Sequence, residues 1–172
     1  DPACSIVLER EPPAGDLMRR PPRPPGQRLL DRTTLLRALG RGVVMFATVA
    51  ATYGLAARTG APHPQVSALA FTSVVVGNLG LILLHRSRGS LWRALRTPNP
   101  AFWMVVGATS ALLALAILHP VVAGWFRFAP PPGNLLAMAV ALPLSAVVAM
   151  DVLQQFAVRR RTGAMSVGAG PV

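Results

Sequence analysis

The sequence predicts an all-α integral membrane protein built around a four-helix transmembrane bundle. Three observations lead there. Of 172 residues, 52% are hydrophobic and only 13% charged, about half the charge that coats a soluble domain. The mean hydropathy is +0.48. The apolar residues also gather into four charge-free runs of 16–19 residues, close to the roughly 17–25 that cross a hydrocarbon core about 30 Å thick. Six acidic residues argue against a soluble enzyme with a carboxylate-rich cleft. The apolar richness excludes disorder for most of the chain.

Taken in order, residues 1–12 are a short apolar piece, Asp1-Pro-Ala-Cys-Ser-Ile-Val-Leu8, closed by Glu9-Arg-Glu11. Residues 13–36 form a loop rich in proline and arginine, and residues 37–157 hold the bundle. Its spans are expected at about 38–57, 66–84, 101–118 and 135–153, with a tail over 158–172. None of the runs alternates with period two, which excludes barrel strands. Backbone groups in lipid must be satisfied within their own segment, so each run is a helix. Pro143 removes a donor from the fourth and should kink it. Arg58-Thr-Gly-Ala-Pro-His-Pro64, Arg96-Thr-Pro-Asn-Pro100 and Ala129-Pro-Pro-Pro-Gly-Asn134 separate the runs with turn-forming residues.

The net charge of +11 comes from 17 basic residues, all of them arginine. They fall between apolar runs without interleaved aromatics, so nucleic acid is not the expected partner; the lipid bilayer is. Arg10, Arg19, Arg20, Arg23, Arg28, Arg32, Arg37 and Arg41 precede the first run. Arg86, Arg88, Arg93 and Arg96 lie between the second and third, and Arg159, Arg160 and Arg161 follow the fourth. The other two loops hold only Arg58 and Arg127. Cytoplasmic loops carry such an excess, so both ends are expected in the cytoplasm, as an even number of spans requires. Trp103, Trp125, Phe126 and Phe128 suit interfacial anchors. The basic loops read first as topology signals with some anionic-lipid contact. Cys4 is alone, so no disulfide framework is expected. The start at Asp1, without a charged-then-apolar leader, suggests no signal peptide.

Helical rise from an interface at Glu9 would put Asp1 about 12 Å deep, near mid-bilayer. A carboxylate there is costly and by default a cation ligand or proton site. Pro2 would free carbonyls that could also bind a cation. From periodicity alone, Asp1 reads first as the solvated end of a soluble tail.

Asp16-Leu-Met-Arg-Arg-Pro-Pro-Arg23 resembles the loop after the sixth transmembrane helix of P-type cation-transporting ATPases, especially the bacterial calcium-pump-like group. There the pattern follows a membrane-embedded Asp at the interval that separates Asp1 from Arg20. Asp1-Pro-Ala-Cys-Ser-Ile-Val is similar to that helix. Gly77-Asn-Leu-Gly-Leu-Ile-Leu-Leu84, Arg96-Thr-Pro-Asn-Pro100, Phe126-Arg-Phe-Ala-Pro130, Leu142-Pro143 and Met150-Asp-Val-Leu153 match further family segments. The resemblance covers nearly the whole chain. Its motifs are specific as a set and weak singly.

The resemblance makes the four runs helices seven to ten, preceded by half of helix six. It implies an ATP-driven cation pump in the cell (plasma) membrane, with Asp1 as a ligand of the transported cation, calcium in the nearest group. Asp16, Met18, Arg20, Pro21, Pro22 and Arg23 would form the cytoplasmic loop coupling helix movement to the phosphorylation domain. Mg-ATP would be the cofactor of the full-length parent. Its Asp-Lys-Thr-Gly-Thr motif is absent from this chain, which is therefore expected to have no activity alone. The partners implied are the N-terminal transmembrane, actuator, phosphorylation and nucleotide domains. Two departures stand out. Val75 replaces the Glu that two-site calcium pumps carry three residues before the Asn aligned with Asn78, which puts a second calcium site in doubt. Ala14 and Arg19 occupy two positions that are acidic in the family.

Asn78 is expected to hydrogen-bond between helices, and Asp151, beside Gln154 and Gln155, to pair at the inner interface or within the bundle. Gly107-Ala-Thr-Ser-Ala111 is a small-residue packing pattern. His63, His85 and His119 lack the spacing of a metal site. No phosphate loop, nucleophile elbow or catalytic carboxylate pair is present. Two identities follow: the C-terminal membrane part of such a pump, favoured by the abrupt start without Met, or a free-standing four-helix scaffold or accessory protein derived from it.

Overall fold

The computed structural model describes residue 9 and residues 31–86, 91–96 and 99–167, with side chains as far as 157 except at 93. These residues form six helices: α1 (Arg32–Arg58), α2 (His63–Arg86), α3 (Leu91–Arg96), α4 (Pro100–Leu118), α5 (Pro120–Phe126) and α6 (Gly133–Val167). No strand occurs among the described residues. Four helices are long and apolar enough to span a membrane: α1, α2, α4 and, over Gly133–Ala157, α6. They contain the four expected spans. α1 and α6 run past their apolar cores because arginine is a good helix former and nothing breaks either helix.

Local chemistry sets the ends. The carbonyl of Asp31 accepts from Leu35 N at 3.0 Å to open α1. Gly60, at φ 77°, turns the chain out of it, in a conformation that only glycine adopts without steric cost. Asn99 caps α4: its Oδ1 accepts from Phe102 N at 3.1 Å, and Pro100 follows at the first helical position, where its missing N–H costs nothing. Arg127, at φ 54°, ends α5 in the left-handed region. α6 continues as helix across Pro143, which is fully buried.

α2 is the central element, packing against α6 and α1. Two glycines allow the close approach. A Cβ on Gly80 would come within 2.6 Å of Val147, and one on Gly77 within 2.9 Å of the Met45 sulfur. Ala56, Val66, Leu69, Leu135 and Ala139 form one core cluster, and Leu84, Val147 and Met150 another. Between them, the hydroxyls of Thr52 and Ser73, both buried, join α1 to α2 at 3.2 Å. α4 leans on α2 through Ile82 and Phe102 and leaves Trp103, Met104, Leu112, Leu115 and Leu118 exposed. In a helix of this hydropathy such a face suits acyl chains.

Candidate functional site

Six of the expected site residues, Asp16, Met18, Arg20, Pro21, Pro22 and Arg23, lie outside the described residues, as does Asp1. Asn78 and Asp151 lie within them. The interhelical hydrogen bond expected of Asn78 is not formed among the described residues. α2 turns Gly77, Gly80 and Leu84 inward, and Asn78, about 100° further round the helix, is exposed. It borders an open, mostly apolar groove of about 210 Å³ lined also by Met45, Phe46, Val49, Ser73 and Val74.

Asp151 is different. It is buried at the arginine-rich end of α6. Its Oδ2 accepts from Gln155 Nε2 at 2.7 Å, one turn along the same helix. The same oxygen accepts from the backbone N–H of Leu91 at 3.3 Å. The carboxylate thus satisfies a donor that the first turn of α3 leaves open and ties that short helix to α6.

Beside it, Arg41 of α1 bridges two further helices. Its Nη2 donates to Gln154 Oε1 on α6 at 2.9 Å, and its Nη1 stands 3.0 Å from His85 Nε2 on α2. His85 Nδ1 lies 2.7 Å from the carbonyl of Leu81. A carbonyl only accepts, so Nδ1 carries the proton and Nε2 is the bare acceptor for arginine. One residue on, Arg86 closes α2 as a buried side chain, its guanidinium 4.9 Å from the centre of the Phe102 ring. Placed among the loop arginines by sequence, it instead covers the joint between α2 and α4.

These groups form a polar belt joining α1, α2, α3 and α6 at the arginine-rich end. Its chemistry is that of a clamp, since no nucleophile is paired with a base in it. Among the described residues no three His, Cys, Asp or Glu side chains gather as a metal site. Sequence reasoning found Asp151 and its glutamines but missed the reach of Arg41 and both short helices. The Asn99-Pro100 pair was the one local signal, a capping residue before a proline, that marked the start of α4.

At the opposite end aromatic rings join the elements. Phe71 of α2 meets Phe128 at 5.5 Å and Phe126 at 6.3 Å, and those two rings stack at 5.5 Å. Phe128 N donates to Ala123 O at 2.8 Å, closing the turn after α5. Trp125 is exposed.

Comparison with known proteins adds one finding. No curated protein matches the chain. A family model described as "Cation transporting ATPase, C-terminus" matches residues 1–156, from the first residue to within the last apolar helix. With four helices able to span a membrane along that stretch, the chain belongs to the family of C-terminal membrane domains of cation transporting ATPases.

Proposed function

We propose that this chain is the C-terminal part of an ATP-driven P-type pump, and that it buttresses and partly forms the transmembrane cation pathway. The family match over residues 1–156 carries this reading. Asp1 supplies a carboxylate to the transported cation, with calcium the first candidate. The loop from Asp16 to Arg23 couples the bundle to the phosphorylation domain. Both ends face the cytoplasm, in the plasma membrane, on the strength of the arginine distribution.

Phosphorylation by Mg-ATP belongs to other domains: the 172 residues contain no Asp-Lys-Thr-Gly-Thr. This chain offers no acceptor for that step and has no ATPase activity of its own. The α1–α2–α6 core supplies rigidity instead. Close-packed helices joined by side-chain hydrogen bonds give an adjoining site a fixed wall against which moving helices can work.

The test is calcium-dependent phosphoenzyme formation by the ATPase that carries this domain. Asp1→Asn is expected to abolish the calcium dependence while leaving the protein inserted in the membrane. Calcium dependence unchanged in that variant would remove Asp1 from the pathway. A gene encoding only a four-span protein would favour the scaffold reading instead.

A further inference from the structure

Between two membrane-spanning helices sits a short one with an outward apolar face. α3 lies between the end of α2 at Arg86 and the start of α4 at Pro100, both ends of candidate spans, so it lies at the membrane boundary. One side of it is committed to the protein: Ala94 is buried, and the Leu91 N–H is held by Asp151. The other side is open. Trp92 is 62% exposed and Leu95 40% exposed; three residues apart, they share a face.

Arg96 completes that face. Its guanidinium lies 4.7 Å from the centre of the Trp92 ring, one turn back along the helix. A guanidinium stacked on an aromatic ring is held flat, and its N–H edge remains free to fork onto phosphate oxygens. The same end of the bundle is basic. Arg32 and Arg37 are exposed at the start of α1. Among the described residues from 31 to 157, the carboxylates are those of Asp31 and Asp151; the first accepts from Thr33 Oγ1 at 2.6 Å and the second is buried.

The geometry points to α3 as an interfacial helix that seats an anionic phospholipid, Trp92 and Leu95 entering the acyl boundary and Arg96 taking the headgroup phosphate. Charge complementarity selects the occupant: an indole and a leucine rimmed by arginine, at interfacial depth, match an acidic lipid in each part. The inference is independent of Asp1 and of the transported ion.

In the ATPase that carries this domain, every tryptophan but Trp92 is replaced by Phe, Trp103 and Trp125 among them. That protein, reconstituted in phosphatidylcholine vesicles, is compared with equal mole fractions of brominated phosphatidylglycerol or brominated phosphatidylcholine. Phosphatidylglycerol is expected to quench Trp92 at the lower mole fraction. Arg96→Gln is expected to reduce that preference about fivefold, the equivalent of about 1 kcal/mol for one arginine at an anionic surface. Arg96→Lys, which keeps the charge and loses the planar fork, should retain part of it. Equal quenching by both lipids, or a preference that Arg96→Gln leaves intact, overturns the site. An indole that neither lipid quenches shows that protein covers this face, and overturns it too.

Discussion

The two ends of the bundle are held by different chemistry. At the arginine-rich end, Arg41 reaches His85 and Gln154, and Asp151 holds the Leu91 N–H, so directed hydrogen bonds cross between helices while Gln155 backs Asp151 along α6. At the other, Phe71, Phe126 and Phe128 stack, and Ala56, Val66, Leu69, Leu135 and Ala139 pack without polar atoms. Directed bonds fix the register of helix ends one against another, because each donor must find its acceptor. Stacked rings and small apolar side chains hold the helices together but tolerate sliding. On the proposed function, fixed register lies on the side where movement from a cytoplasmic domain would enter.

Between the two ends, the glycine contacts of α2 should matter most. Gly80→Leu must drive a side chain into Val147, which already lies within 2.6 Å of an added Cβ. Overpacking of this kind costs about 1–3 kcal/mol, and unfolding in detergent–SDS mixtures should show the loss. Gly124→Ala, with nothing within 4 Å of its Cβ, should leave stability unchanged in the same assay.

The comparison sharpens with Arg41→Ala, which removes contacts to both α2 and α6. Interhelical hydrogen bonds in membranes contribute about 0.6–2 kcal/mol each, so a loss of that order is expected. A double-mutant cycle with Gln154→Ala should return a coupling of similar size; additive effects would show that the clasp holds nothing. Phe128→Leu at the opposite end should cost about 0.5–1.5 kcal/mol beyond the area lost, with no coupling to Arg41. Asp151→Ala should act locally, raising hydrogen exchange at the Leu91 amide while the exchange of mid-helix amides in α2 stays unchanged.

The smallest effect concerns pH. The hydroxyl of Thr33 hydrogen-bonds to Asp31 and holds its carboxyl below the usual carboxylate range, with desolvation opposing. A carboxyl depressed in the folded state contributes stability above its unfolded pKa and loses it as pH falls through the folded value. The first turn of α1 should therefore fray on acidification below the ordinary carboxylate range. Asp31→Asn should flatten that dependence, read as amide exchange at Leu35.

Much of the fold was legible because hydropathy alone demands it. The cores of α1, α2, α4 and α6 were written in four charge-free runs. Their ends were not, since a helix leaving the membrane carries no hydropathy signal: α1 starts at Arg32 and α6 runs to Val167. α3 and α5, of 6 and 7 residues, are too short for periodicity to show. Arg86 read as a loop charge because nothing local reveals that its side chain folds back on Phe102. The polar belt was half visible. Asp151 and its glutamines are neighbours in sequence, whereas the partners of Arg41 lie 44 and 113 residues away and are found only when the helices are packed. The face of Asn78 depended in the same way on which side of α2 its glycines would claim.

The four-span arrangement with both ends on one side underlies the whole account, and site-directed labelling tests it most directly. In a background with every cysteine of the protein replaced, Cys4→Ser among them, single cysteines at Thr33, Arg96, Thr59 and Asn134 are exposed in intact cells to a membrane-impermeant thiol reagent. The account predicts labelling at Thr59 and Asn134, and at Thr33 and Arg96 only after the membrane is opened. Labelling of Thr33 together with Thr59 in sealed cells would contradict it.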